Sequence, residues 1–339
     1  MRHFFVYLLK GTFIAALVLL AFSYSLTFTP IGRIEYGPAV IAFVSRFVST
    51  PEEYTPDMRA TSNELGRKNL GPADRELLAS VEDFHVGNGD HQVPVRVYTP
   101  PGDGPFPLVL EIHGGGFFMG NDFVLEANAI NFAAAIPAVV VSVDYRLAPE
   151  NPFPAALEDC YTALIWIADN ASRLNGDHTR LALMGESAGG NLVAALTLKV
   201  RDEGGPSLRY QYLLNPVTDL VGKDWQSFRE LGDDYLIRVS DMPRVNGMYV
   251  PNEPDRLSPY ASPLLADAHT GLPEALIVTS QFDPLRDQGK AYADRLRDAG
   301  VKVTYVNVEG NLHGFVGSPG SRRQNMAYAA AKMREALYR

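Results

Sequence analysis

From residue 81 onward, short apolar runs rich in β-branched residues alternate with longer helical stretches, and this rhythm constrains the fold more than any other feature of the chain. Strands are expected at 108–112, 138–143, 181–184, 210–214, 275–279 and 302–308. Helices are expected at about 125–135, 155–168, 188–200, 289–299 and 323–337. Runs of this kind, apolar on both sides of the chain, belong to strands covered on both faces, and strict β-α alternation builds a mostly parallel sheet. A hairpin opens the unit, with alternating residues at 81–86 and 93–98 around Gly87-Asn88-Gly89-Asp90. The expected architecture is α/β, and no repeat or low-complexity tract competes with it.

Only one connection breaks the rhythm. Residues 217–265 are rich in Asp, Pro and Tyr and too long for an ordinary loop, a length that usually belongs to a functional lid. Ahead of the sheet, 31–80 reads as irregular helical material interrupted by Pro51 and Pro56, with a helix-like stretch at 39–48. Hydrophobic residues make up 46% of the chain, enough for a substantial core. The formal charge of -9 opposes a broad nucleic-acid surface, because phosphates need a basic one. Cys160, the single cysteine, allows no intrachain disulfide and reads as a small buried hydrophobe.

The chemistry concentrates at strand ends. Gly185-Glu186-Ser187-Ala188-Gly189 falls where a strand stops and a helix starts, the context in which a serine on a tight, strained turn is presented as a nucleophile. Serine needs a base at neutral pH, and imidazole has the appropriate pKa. Of the seven histidines only His313 follows a late strand at the sheet edge where the serine emerges. The carboxylate that orients it is Asp283, directly after the strand at 275–279; Asp287 is placed at the start of the next helix as a cap or first-turn charge. His113-Gly114-Gly115-Gly116 supplies side-chain-free backbone, so Gly115 and Gly116, with the amide of Ala188, are assigned to an oxyanion hole. His113 is read as a clamp for that loop. Phe117, Phe118, Met119 and Phe123 are candidates for an acyl pocket or for core packing. No two His or Cys stand at ligand spacing, so neither a metal nor a cofactor is expected.

These blocks resemble the hormone-sensitive lipase family of α/β-hydrolases, the bacterial esterase branch in particular. The resemblance spans roughly 81–339 and rests on His113-Gly114-Gly115-Gly116-Phe117, on Val143-Asp144-Tyr145-Arg146-Leu147-Ala148-Pro149-Glu150, on the Ser187 elbow with Gly190-Asn191, on Asp283-Pro284-Leu285-Arg286-Asp287 and on His313-Gly314-Phe315. It implies the same triad and oxyanion loop, a cap built from 31–80 and 217–265, and an architectural role for Asp144 to Glu150. It also implies hydrolysis of short-to-medium acyl esters through an acyl-enzyme. Membrane-associated lipolysis and amide deacetylation are the alternatives, and a non-catalytic receptor on the same fold is a distant one because His313 is present. Glu186 departs from the Asp more usual in this branch.

The first thirty residues differ from the rest. No charge interrupts 11–28, and with the preceding apolar residues the run reaches about 25 residues, where about 20 cross a bilayer as a helix. An uncleaved anchor, a cleaved signal and a buried cap helix are the competing readings; Ala21-Phe22-Ser23 imitates a cleavage site poorly. Arg2 and Lys10 favour an N-inside orientation with the catalytic body outside the cytoplasm. That segment resembles the anchored arylacetamide deacetylase type. The expected partners are therefore an ester, small or lipid, and a membrane.

Overall fold

The computed structural model describes residues 17–47, 57–61, 63–64, 74–87, 91–120 and 126–339. Its centre is an eight-stranded sheet: β1 Ser80–Val86, β2 Val93–Thr99, β3 Phe106–Ile112, β4 Val139–Val143, β5 Gly176–Glu186, β6 Leu208–Leu214, β7 Glu274–Phe282 and β8 Val303–Leu312. In space they run β8-β7-β6-β5-β3-β4-β2-β1. β2 pairs antiparallel with both β1 and β4, and the remaining pairs are parallel, as in Leu110↔Val141 and Leu110↔Leu183.

Residue parity explains why these strands carry so few polar groups. Leu108, Leu110 and Ile112 of β3 face one layer, formed by α3 Ala155–Asp169, α4 Ala188–Glu203 and α7 Arg286–Asp298. Val109 faces the other, formed by α2 Glu126–Ala135 and α8 Pro319–Leu337. All seven residues of β3 are buried. Cys160 is buried within α3. The block around Arg146 ties loop to helix: its guanidinium forks onto Asp159 of α3 at 2.7 and 2.9 Å, while Glu150 receives Arg59 from the N-terminal segment at 2.7 Å.

Several boundaries differ from the expectation for identifiable reasons. β5 begins at Gly176, because polar residues extend it at the exposed end, where Asp177 accepts from Thr179 and Arg180. α8 begins at Pro319, a residue whose fixed φ suits the first helical turn and whose missing N–H costs nothing there. α7 begins at Arg286, which puts Asp287 in its first turn; its carboxylate accepts the Ser227 amide at 2.7 Å. The first described helix of the 31–80 region, α1 Tyr36–Ser45, starts three residues ahead of the predicted stretch.

The long insertion contains α5 Gln226–Leu231 and α6 Met242–Tyr249. Its base is tied to the sheet-bearing body: Asn191 of α4 donates to the carbonyls of Val217 and Ala261, both at 2.9 Å, and Gln288 of α7 accepts the amides of Thr218 and Asp219. Ile34, Ala39 and Ala42 pack with Leu231 and Tyr235 of the insertion and with Phe282 and Leu312 at the sheet edge. Residues 17–25 are helical, with Leu17, Val18, Leu19, Leu20 and Phe22 about half or more exposed. Among the described residues, no helix is long and apolar enough to cross a membrane. The start of the apolar run, up to residue 16, lies outside the described residues, as do Pro51, Pro56, Phe123 and most of the predicted turn at Gly87-Asn88-Gly89-Asp90.

Candidate active site

Ser187 is the single residue between β5 and α4, and its backbone has φ 59° and ψ −119°. Such a conformation costs energy for a residue with a Cβ and persists only where its surroundings enforce it. Here the Ser187 amide donates to Leu214 O at 2.8 Å and its carbonyl accepts from Asn191 at 3.0 Å. The turn closes only because its neighbours lack side chains. A Cβ at Gly185 would lie 2.4 Å from the Gly189 carbonyl oxygen, and one at Gly189 would lie 2.0 Å from that of Ile112. The first turn of α4, with its partial positive charge, therefore lies directly against the serine.

Asp283 and His313 come from the ends of β7 and β8, and both are buried. Asp283 Oδ2 accepts from His313 Nδ1 at 2.8 Å, and Oδ1 accepts the Leu285 amide at 3.0 Å. A carboxylate takes only the protonated nitrogen, so the proton resides on Nδ1 and Nε2 is left as the basic atom. Burial works against the imidazolium, but the charge and hydrogen bond of Asp283, helped by Glu186, hold the His313 pKa above its ordinary value.

The loop after β3 turns back sharply at Gly115 (φ 118°) and Gly116 (φ 62°), and the Gly115 carbonyl accepts the amides of Phe118 and Met119 at 3.2 and 2.9 Å. Among the described residues, no acceptor takes the amide hydrogens of Gly115, Gly116 or Ala188. His113 stacks on Tyr145 with centroids 4.1 Å apart, and its Nδ1 donates to Gly114 O at 2.7 Å. Burial pushes its pKa down to about 4, so it is a neutral brace at physiological pH. Phe117 is buried and stacks on Tyr249 at 3.7 Å, which makes its ring a packing element.

A cavity of about 850 Å³ joins these parts, lined by Ser187, His313, Gly115, Gly116 and, from the insertion, Leu220 and Phe228 among others. The structure therefore brings Ser187, His313, Gly115 and Gly116 to one cavity, with Asp283 behind the histidine and Ala188 beside the serine. A serine and an imidazole lining one cavity, with an orienting carboxylate and undonated amides, are a set suited to acyl transfer.

Three further residues of this region were not singled out in the sequence. Arg322 of α8 lies 3.7 Å from the Glu186 carboxylate and donates to Gly314 O at 3.0 Å, bracing the histidine loop. Glu111 is buried in β3 behind the elbow. Asn215, the residue after β6, touches Asp283. The only sequence signal for Asn215 is its type and place, an Asn at a strand end before Pro216.

Comparison with known proteins gives a consistent assignment. Residues 109–317 match the family model described as alpha/beta hydrolase fold. The chain is 36% identical to an arylesterase of Saccharolobus solfataricus, covering 82% of this chain and 90% of that one. It is also 36% identical to carboxylesterase NlhH of Mycobacterium tuberculosis, over 87% and 86% of the two chains. A hyperthermophilic esterase from the archaeon Pyrobaculum calidifontis superposes with a TM-score of 0.82 at 35% identity, covering 87% of this chain and 96% of that one. With this fold, these relatives and the strand-end site, the chain belongs to the α/β-hydrolase family, in its hormone-sensitive-lipase-like branch.

Proposed function

We propose that the protein is a serine carboxylesterase acting on short-to-medium acyl esters. The Asp283–His313 hydrogen bond, set beside a strained Ser187 in one cavity, is the observation that carries the reading. In the proposed cycle, Ser187 Oγ attacks the ester carbonyl as His313 Nε2 takes its proton. The amides of Gly115, Gly116 and Ala188 bind the oxyanion, a contribution of about 3 kcal/mol per donor. The same proton is then given to the leaving alcohol, forming an acyl-serine. Water, deprotonated by His313, cleaves that acyl-serine to release the acid and restore the hydroxyl. Asp283 stays ionised throughout and stabilises the imidazolium. Residues 31–80 and 217–265 form the cap; the packing of Ile34 and Ala39 on Leu231 and Tyr235 supports treating them as one unit.

The carboxylesterase and arylesterase relatives support ester hydrolysis, and the resemblance to the bacterial esterase branch is the ground for a short-to-medium acyl group. A chain-length series of aryl esters beside an aryl acetamide, compared as kcat/KM, tests this choice. The expected maximum lies at about eight carbons or fewer, with the acetamide far slower. A maximum at about twelve carbons or beyond, or a faster acetamide, overturns it. The acid limb should have a midpoint above the ordinary histidine value, because activity needs neutral His313 and its pKa is raised.

The N-terminal segment is proposed to hold this body at a membrane, on the extracytoplasmic side. The exposed apolar residues Leu17 to Leu20 and Phe22, continuous with the uncharged run before them, support that reading. Sedimentation of the full chain with membranes in high salt is the expected result, and full recovery in the soluble fraction would refute it.

A further inference from the structure

Asn215 stands directly after β6 with φ 45°, in the left-handed region that Asn enters more readily than most residues. Its side chain is fully buried and reaches both the acid and the histidine loop. Nδ2 donates to Asp283 Oδ2 at 2.6 Å, the same oxygen that accepts His313 Nδ1–H at 2.8 Å. Oδ1 accepts from the Gly314 amide at 3.3 Å and from the Ser280 hydroxyl at 3.4 Å. The chemistry of the partners fixes which way the amide points: a carboxylate only accepts and a backbone N–H only donates. The Asn215 backbone amide also donates to Val278 O at 2.7 Å, so the residue is fastened to the strand that delivers Asp283.

We infer that Asn215 is a positioning residue, fixing the Asp283 carboxylate and the His313 loop in one geometry and moderating how strongly that carboxylate holds the imidazolium. The inference rests on the serine-hydrolase reading of the site. A carboxylate oxygen shared between two donors has less charge available for each, so removing one donor leaves it more basic and the imidazolium more tightly held. The other charged groups near His313 are Glu186 in the elbow and, paired with it, Arg322 of α8. Neither is bonded to Asn215 and both are retained in the variants, so a titration change is read with those two charges unaltered.

Two substitutions test this. Asn215→Gly accepts positive φ while deleting the amide, and Asn215→Asp keeps the size and the acceptor. For the glycine variant we expect kcat on an aryl ester to fall about tenfold with KM within about twofold. Its acid limb should rise by about 0.5 or more on the pH scale. The low-field proton resonance of His313 Nδ1–H should move as well. In Asn215→Asp, two carboxyls in contact cannot both ionise, so they share one proton, and the protonated form donates as the amide did. The aspartate variant should therefore exceed the glycine variant at the acid end of its profile and show one extra ionisation. Wild-type profiles and resonance in both variants would overturn the inference, as would a fall in kcat with the resonance and pH profile unmoved. Should the glycine variant not fold, an unchanged profile and resonance in Asn215→Asp alone overturns it. Failure of the wild type to turn over aryl esters counts against the hydrolase reading instead, because the resonance reports on Asn215 without substrate.

Discussion

Replacing Ser187 with alanine is expected to lower kcat on aryl esters by about 10⁴-fold or more while the folded state persists. The size follows from the division of labour. Without the hydroxyl no acyl-enzyme forms, and His313 has no proton to take; what survives is binding and polarisation by the amides of Gly115, Gly116 and Ala188. The backbone at residue 187 is held by the bonds to Leu214 and Asn191, which alanine preserves, so lost activity does not reflect lost structure. An organophosphonate should add one adduct to the wild type, at Ser187, and none to the variant. Turnover within about tenfold of wild type in Ser187→Ala would refute the mechanism.

The second large effect concerns stability. Glu111 sits in the central strand β3 with its carboxyl buried, accepting a hydrogen bond from Ser142. Burial pushes its pKa up to about 7; Ser142 and Arg322 pull it down, and Glu186 pushes it further up. Because the folded value exceeds the unfolded one near 4.5, the folded protein holds the proton more tightly. The stabilisation is complete below the unfolded pKa and is lost as pH rises through the folded one. Over that window the loss amounts to about 3 kcal/mol. Glu111→Gln removes the titration and keeps a carbonyl for Ser142. Urea unfolding at pH 5 and pH 8 should show the wild type losing much more stability than the variant, leaving Glu111→Gln the more stable of the two at pH 8. Equal losses in both proteins would contradict the argument. Asp144, raised to about 6 by burial and by Asp159, adds a dependence of the same sign to both proteins and cancels in the comparison.

The difference between Ser187 and Asn215 shows what a sequence states and what it conceals. Ser187 was legible because its proposed function needs a local pattern: a strand end, a helix start and two residues without side chains, all within five positions. His313 and Asp283 were legible because strand ends recur in order and the residue types needed there are few. Asn215, Arg322 and Glu111 act through contacts with residues remote in sequence, and nothing in their immediate neighbours marks them. Glu111 even interrupts an otherwise apolar strand, where a carboxylate would be read as misplaced until Ser142 of β4 is seen to donate to it. The polar start of β5 escaped for the opposite reason, since period and hydrophobicity fade at a strand's exposed end. The family resemblance implied a cap in 31–80 and 217–265 but carried no information about which residues of the two segments touch.

Glu35 gives one of those contacts a further meaning. Its amide donates to Gly310 O at 2.8 Å, and its carboxylate receives Asn311, Ser318 and Ser321, partners separated from it by 276, 283 and 286 positions. They flank His313. The hydrogen bonds of Ser318, Ser321 and Asn311 lower the Glu35 pKa against its burial, so it bridges as a carboxylate. Glu35 therefore ties the segment ahead of the sheet to residues on either side of His313. The proposed base is thus held from two sides, by Asp283 behind its ring and by the segment ahead of the sheet beneath its loop.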